Sequence, residues 1–297
     1  MLGPARAVVA VPASEWRGLA ETHDERALAL TSAHRRRASR GEKHPVEDFL
    51  FTYYSYKPAV LRRWHPGIGV VLEDADERRA WRWYAPVGDT GAVVDDPRFR
   101  DERGQLYRGV VGLLRATRAR TAQFGCFGLH EWAMVYRADH LRHDLPLRLG
   151  PAGTDEVVAA SELRCTHFDA FRFFTAEAVP RNREVLDRVG VSAREQPGCL
   201  HAGMDVYKWI VKLGPLVPGH LLLDAFELAR DIRELDMRAS PYDLTGWGYA
   251  PVPIETAEGK ARYVREQRAL SERSQLLRGA VLDAVGVPDG AADDVVA

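Results

Sequence analysis

Cysteine is scarce in this 297-residue chain: Cys126, Cys165 and Cys199 are an odd number set far apart, and none belongs to a C-x-x-C pair. A disulfide framework and a cysteine-based zinc or redox motif therefore have no support, and a reduced, cytoplasmic setting is the simplest expectation. Excess charge of one sign is lacking too. Lys plus Arg number 41 against 42 Asp plus Glu, a formal charge of -1, so no bulk field draws the molecule to a polyanion and a nucleic-acid contact would need a local basic patch. Long apolar runs are missing. The N-terminal Val8-Val9-Ala10-Val11 ends at Pro12, too short for a signal peptide or a bilayer span, and reads as a surface strand or tail. Internal repeats and low-complexity tracts are absent. So are the glycine-rich phosphate loops, the G-x-S-x-G elbow and the H-x-E with P-C-x-x-C zinc-deaminase signature.

With 46% hydrophobic residues, the chain has enough apolar side chain to bury a sizeable core, in one large domain or two small ones. Ser14 is placed to cap a helix through Trp16, Leu19, Ala20, Ala27 and Leu30, which turns basic at His34, Arg35, Arg36, Arg37, Arg40 and Lys43. That run is either a solvated helix end or a phosphate contact. Between 66 and 98, Val70, Val71, Trp81, Trp83, Val93 and Val94 are broken by the turn Gly88-Asp-Thr-Gly91, which predicts a small antiparallel sheet. Helical spacing then predicts helices near 105–121, 127–138, 181–190, 199–213, 219–239 and 256–285, punctuated by prolines. The expected class is mainly α: a helical single domain with a small antiparallel β insertion around residues 66–98. Its parts would be an N-terminal strand and helix with the basic run (1–43), a helical catalytic domain (44–285) and a flexible tail (286–297).

Four segments set ionisable groups among large apolar residues, where an unpaired charge is costly to bury. In the first, His130-Glu131 precedes Trp132. Neighbours on a helix point about 100° apart, so one of the two is expected to be structural unless the backbone is irregular. The motif is not H-E-x-x-H, because residue 134 is Met. In the second, His167, Asp169 and Arg172 lie among Phe168, Phe171, Phe173 and Phe174. Such a cluster can stack a planar base beside a water-activating carboxylate, or it is an aromatic core run with an Asp169–Arg172 ion pair. In the third, His201, Asp205, Lys208 and Lys212 share a helix face, and the i,i+4 spacing lets His201 touch Asp205 as a general acid, as a metal ligand with its carboxylate, or as a plain surface pair. In the fourth, Asp224, Glu227, Asp231 and Glu234 share a face with Arg230 and Arg233 interleaved, and Arg238, Ser240, Tyr242 and Asp243 surround Pro241. The face is salt-bridged or a carboxylate cluster, and the proline turn can present polar side chains. The nearby stretch with His44, Asp48, Tyr53, Tyr54 and His65 reads as tyrosines in a core with bonded hydroxyls.

The phrases at 44–54 (HPVEDFLFTYY), 128–137 (GLHEWAMVYR), 164–175 (RCTHFDAFRFFT), 195–202 (EQPGCLHA) and 235–244 (LDMRASPYDL) resemble a family of actinobacterial proteins commonly labelled 3-methyladenine DNA glycosylase. The resemblance spans 44 to about 270. It implies a DNA-repair hydrolase that cleaves the N-glycosidic bond of an alkylated purine without a cofactor. A flipped base would stack on Trp132 or Phe168, Asp169 or Asp205 would activate water or stabilise an oxocarbenium-like state, and Arg35, Arg36, Arg37, Arg40, Arg115, Arg118 and Arg120 would hold DNA phosphates.

The residues themselves also support a second reading: a metal-dependent enzyme in a helical scaffold acting on a small molecule. His130, His167 and His201 would be nitrogen ligands and Glu131, Asp169 or Asp205 oxygen ligands, a mixed set suited to iron, manganese or zinc. In either enzyme the reacting groups are expected among Asp169, Asp205, His167, His201 and Glu131, with Trp132, Phe168, Lys208, Arg238, Tyr242 and Asp243 binding substrate. A binding module, its aromatic and ionic residues merely core and rim, is the third. Both enzymatic readings require the three histidines to converge.

Overall fold

The computed structural model describes residues 9–141 and 143–286; the expected tail beyond Gly286 lies outside the described residues. Strand β1 (Val9–Val11) leads into helix α1 (Ala13–Ser39). Pro12, not Ser14, occupies the N-cap position, and the basic run through Arg37 is the last part of α1 itself. Two short helices follow, α2 (Phe49–Tyr53) and α3 (Pro58–Leu61). Next come β2 (Val70–Leu72), α4 (Asp76–Arg79), β3 (Tyr84–Val87) and β4 (Gly91–Val94).

The sheet runs β1-β2-β4-β3. Its β2–β4 and β3–β4 pairs are antiparallel as the sequence pattern requires, but β1 adds to β2 in parallel, Val9 opposite Val70. The sheet is therefore mixed, because parallel neighbours need a long crossover and α1 is part of that connection. The β3–β4 turn depends on Gly91, where a Cβ would come within 2.6 Å of the Val87 carbonyl oxygen.

Beyond the sheet the chain is helical: α5 (Asp96–Ala119), α6 (Leu129–Ala133), α7 (Gly150–Ala159), α8 (Phe168–Phe171), α9 (Val191–Arg194), α10 (Leu200–Leu213), α11 (Gly219–Arg238) and α12 (Ala257–Ala284). The molecule is mainly α. The helix expected at 181–190 does not form. There the Asn182 amide group accepts from the Cys165 N–H at 2.8 Å and donates to the carbonyls of Cys165 and Glu184, holding the chain irregular. The helix expected at 127–138 shortens to α6. An unexpected one, α7, starts with Pro151 in its first turn, a position where the missing N–H costs nothing.

Helices α10, α11 and α12 form the centre of the core. At Gly203 of α10 a Cβ would sit 2.9 Å from Ile232 Cδ1 of α11, so glycine is what lets these two helices approach closely. Trp16 and Ala27 of α1 belong to the same apolar cluster as Met204, Ala229 and Val281. Among the described residues no helix is long and apolar enough to cross a membrane.

Candidate active site

The loop before α6 bends through two successive left-handed residues, Phe127 (φ 51°) and Gly128 (φ 74°). A Cβ at Gly128 would meet Ala239 and Tyr263 at 3.3–3.4 Å. The helix that follows has only five residues, and it turns both His130 and Glu131 inward, with 4% and 5% exposure. Both face inward because the backbone is irregular here, the exception that the sequence left open: the helix is short and is entered from a left-handed turn. That helix supplies Arg233 and Asp236 from the stripe that also carries Phe226 and Ala229, all buried. Arg233 Nη1 donates to Glu131 Oε1 at 2.9 Å and to Asp236 Oδ2 at 3.1 Å, and the guanidinium lies 3.8 Å from the Phe49 ring centre. His130 Nε2 is 2.8 Å from Asp236 Oδ1, and its Nδ1 is 3.3 Å from Cys126 Sγ. Burial opposes a charge on His130, but the Asp236 carboxylate outweighs it and holds the imidazole well above its ordinary pKa. The same burial raises Glu131, and the His130 charge brings Asp236 well below the usual carboxylate range despite its own burial.

A second group adjoins the first. His167 precedes α8, Glu195 follows α9, and Asp205 lies on α10. His167 Nε2 stands 3.4 Å from Glu195 Oε1 and 3.4 Å from Asp205 Oδ2, while its buried Nδ1 has no partner. Tyr54 donates its hydroxyl to Asp205 Oδ1 at 2.6 Å, and Lys208 pairs closely with Asp205 Oδ2 and at 3.6 Å with Asp169. Burial pushes Glu195 up. Asp205 is instead held far below the carboxylate range, because Lys208 and then His167 outweigh its burial. Glu195 is fixed by its flanks. The Gln196 amide accepts from the N–H groups of Gln123 and Gly198 at 2.8 and 2.7 Å, and Arg120 donates to the Glu195 carbonyl at 2.9 Å.

His201 joins the two groups. Its ring lies edge-on to His130 at 4.6 Å and stacks on His167 at 5.3 Å, so the three imidazoles converge. Burial, then the neighbouring His130 charge, pushes His201 well below its ordinary pKa and keeps it neutral. Among the described residues two sets could hold a metal ion, with donor atoms lying within 4.8 Å of one another: His130, Glu131, His201 and Asp236; and His167, Glu195 and Asp205.

Several expected roles change. Asp205 binds Lys208, Tyr54 and His167; no hydrogen bond joins it to His201. Asp169 sits at the rim, paired with Arg172 at 3.3 Å and Lys208 at 3.6 Å, and belongs to neither donor set. Phe168 is half-buried under the Arg188 guanidinium. Trp132 is 0% exposed, its indole N–H donating to the Ala239 carbonyl, so neither ring face is open to a ligand. Arg238 is bound to the Ala250 carbonyl, Glu234 and Glu266. Tyr242 is packed in a small separate core with Val46, Val135 and Met237, and Asp243 closes a turn on Thr245. The proline turn is thus structural, because each polar side chain there is consumed locally.

The acidic face of α11 is a salt-bridged surface: Asp224 and Glu227 pair with Arg26, and Asp231 with Arg273. Arg37 of the basic run clamps Glu47 and Asp48, and Arg120 holds the Glu195 loop. Arg35, Arg36 and Arg40 are exposed on or just after α1, whereas Arg115 and Arg118 are half-buried on α5.

Sequence reasoning missed Asp236, Arg233, Glu195 and the Cys126 contact. A signal for the first two existed: they fall on the apolar stripe of α11 beside Ile232, Leu235 and Met237, where no surface residue belongs. No protein-family model, no curated protein and no solved structure matches the chain.

Proposed function

We propose that the protein is a metal-dependent enzyme acting on a small molecule, with a divalent ion held by His167, Glu195 and Asp205. The observation that carries this reading is the pair of 3.4 Å separations from His167 Nε2 to the two carboxylates. They are too long for good hydrogen bonds. They equal the edge of a tetrahedron with bonds of about 2.1 Å, the length of imidazole and carboxylate bonds to zinc-like ions. The other donor set is already satisfied internally, since His130 and Asp236 bond directly at 2.8 Å and Arg233 occupies both carboxylates. Charge supports the same choice. Four buried carboxylates, Glu131, Glu195, Asp205 and Asp236, face three permanent cations among the described residues, Arg233, Lys208 and Arg278. Burial opposes a charge on His167, but Asp205 and Glu195 favour a proton there, and a divalent ion would displace that proton.

One imidazole with two carboxylates suits iron, manganese or zinc. Such an ion would supply Lewis acidity and a more acidic water. The chain's own groups do the rest: Tyr54 and Lys208 hold Asp205, and neutral His201 stacks on His167 and fixes the plane of that ring. A small substrate is favoured because the donors are only 2–4% exposed.

Elemental analysis of purified protein tests this. About one ion per chain is expected, lost in His167→Ala and kept in Asp243→Ala. Metal-free protein that releases free base from alkylated DNA would overturn the reading in favour of the glycosylase that the sequence resembles.

A further inference from the structure

The metal-dependent reading uses none of the three thiols. We propose that Cys126, His130 and Asp236 form a second reactive centre, a thiol nucleophile for activated acyl compounds that carry negative charge. His130 Nδ1 faces Cys126 Sγ at 3.3 Å while Nε2 faces Asp236 Oδ1 at 2.8 Å. One edge of the ring therefore exchanges a proton with sulfur while the other is oriented by a carboxylate, the nucleophile, base and orienter arrangement of covalent catalysis. The orienter is itself fixed: Asp236 is 0% exposed and takes a hydrogen bond from Arg233.

Two independent features set this thiol apart. The first is backbone strain. Phe127, next in the chain, is a bulky residue held at φ 51°, a left-handed conformation that a side chain with a Cβ rarely adopts, and with Gly128 it makes the turn that brings Cys126 onto His130. The second is contrast with the other cysteines. Cys126 and Cys199 are both half-buried and Cys165 is buried, but Cys126 Sγ faces an imidazole nitrogen while Cys165 Sγ faces the His167 carbonyl and burial raises the Cys199 thiol to about 12. The flanking segment selects the substrate class. Lys260 lies 5.6 Å from the Phe127 ring and Arg268 4.4 Å from the Phe124 ring, so a cation stands against each phenyl ring that flanks Cys126 in the chain, a setting suited to an acyl group bearing a carboxylate or phosphate.

In the reaction Sγ bonds to the acyl carbon as the bond to the leaving group breaks. The proton shared by Sγ and Nδ1 goes to the leaving group. Water then cleaves the thioester, releases the acid and returns a proton to the pair; nothing is oxidised or reduced.

The full chain, kept in a chelator so that no metal contributes, is treated with iodoacetate and with iodoacetamide and mapped by peptide mass spectrometry. Cys126 should be carboxymethylated at least tenfold faster than a cysteine peptide, and iodoacetate should gain on iodoacetamide relative to that peptide. Lys260→Ala with Arg268→Ala, on the outer face of α12, should remove that gain. A 4-nitrophenyl hemisuccinate ester should give a burst of one nitrophenolate per chain and a succinyl mass on Cys126, both lost in Cys126→Ser. Labelling of Cys126 at the peptide rate, label spread over Cys165 and Cys199, or absence of the burst in the unmodified sequence would each overturn the proposal.

Discussion

Arg233 carries a guanidinium with 1% side-chain exposure between Glu131 and Asp236. Taking it away leaves two carboxylates buried with one imidazolium, and breaking a buried pair from one side costs about 3–5 kcal/mol. Arg233→Met is therefore expected to lower the urea midpoint sharply, and Glu131→Gln in the same chain to recover part of the loss, because one uncompensated charge is then gone. At Gly128, alanine would bring a Cβ into the left-handed region and against Ala239, with an expected loss of about 1–2 kcal/mol in the same assay. His130, Glu131, His167, His201 and Asp205 were legible in the sequence because each interrupts an apolar setting. Glu195 was not, since it sits in a loop where no periodicity applies. Asp236 was hidden by the more conspicuous acids of α11, which pair with Arg26 and Arg273 on the outside.

At the scale of elements, long periodic helices such as α10, α11 and α12 follow their sequence pattern, whereas short pieces do not. Helix α6 keeps five residues between left-handed backbone at Phe127 and Gly128 before it and at Arg137 after it, and 181–190 loses its helix to one asparagine. In both cases a local side-chain or backbone demand beat periodicity. The seam of α1, α3 and the sheet contains two neutral histidines. His23 Nε2 donates to the Leu61 carbonyl at 2.7 Å, and burial keeps its pKa below the ordinary value. His65 lies 2.9 Å from the Tyr84 hydroxyl, and burial, then Arg78, pushes its pKa down to about 3. Unfolded histidine titrates at about 6.5. The unfolded chain therefore takes up protons first, and the stability due to His65 is complete above that pH and lost as the pH falls from there toward 3. Urea midpoints at pH 7 and 4.5 should fall less in His65→Gln than in the unaltered chain.

For the molecule as a whole, the division expected at residue 43 does not coincide with a packing boundary. Trp16 and Ala27 are part of the central core, Trp16 donates its indole N–H to the Glu73 carbonyl, and Arg26 binds Asp224 and Glu227. A chain beginning at residue 44 would expose that core and lose the parallel edge of the sheet. It is expected to fail to fold, seen as lost near-ultraviolet dichroism and dye binding to apolar surface.

Exposure rises in steps along one line of carboxylates and their shared ammonium: the side chain of Asp205 is 3% exposed, Lys208 15% and Asp169 29%. Lys208 thus spans the step from the buried to the half-buried acid, tied at both ends. Drawing the ammonium away would leave a carboxylate with 3% exposure short of a cation, so the lysine and its two acids hold together or shift together.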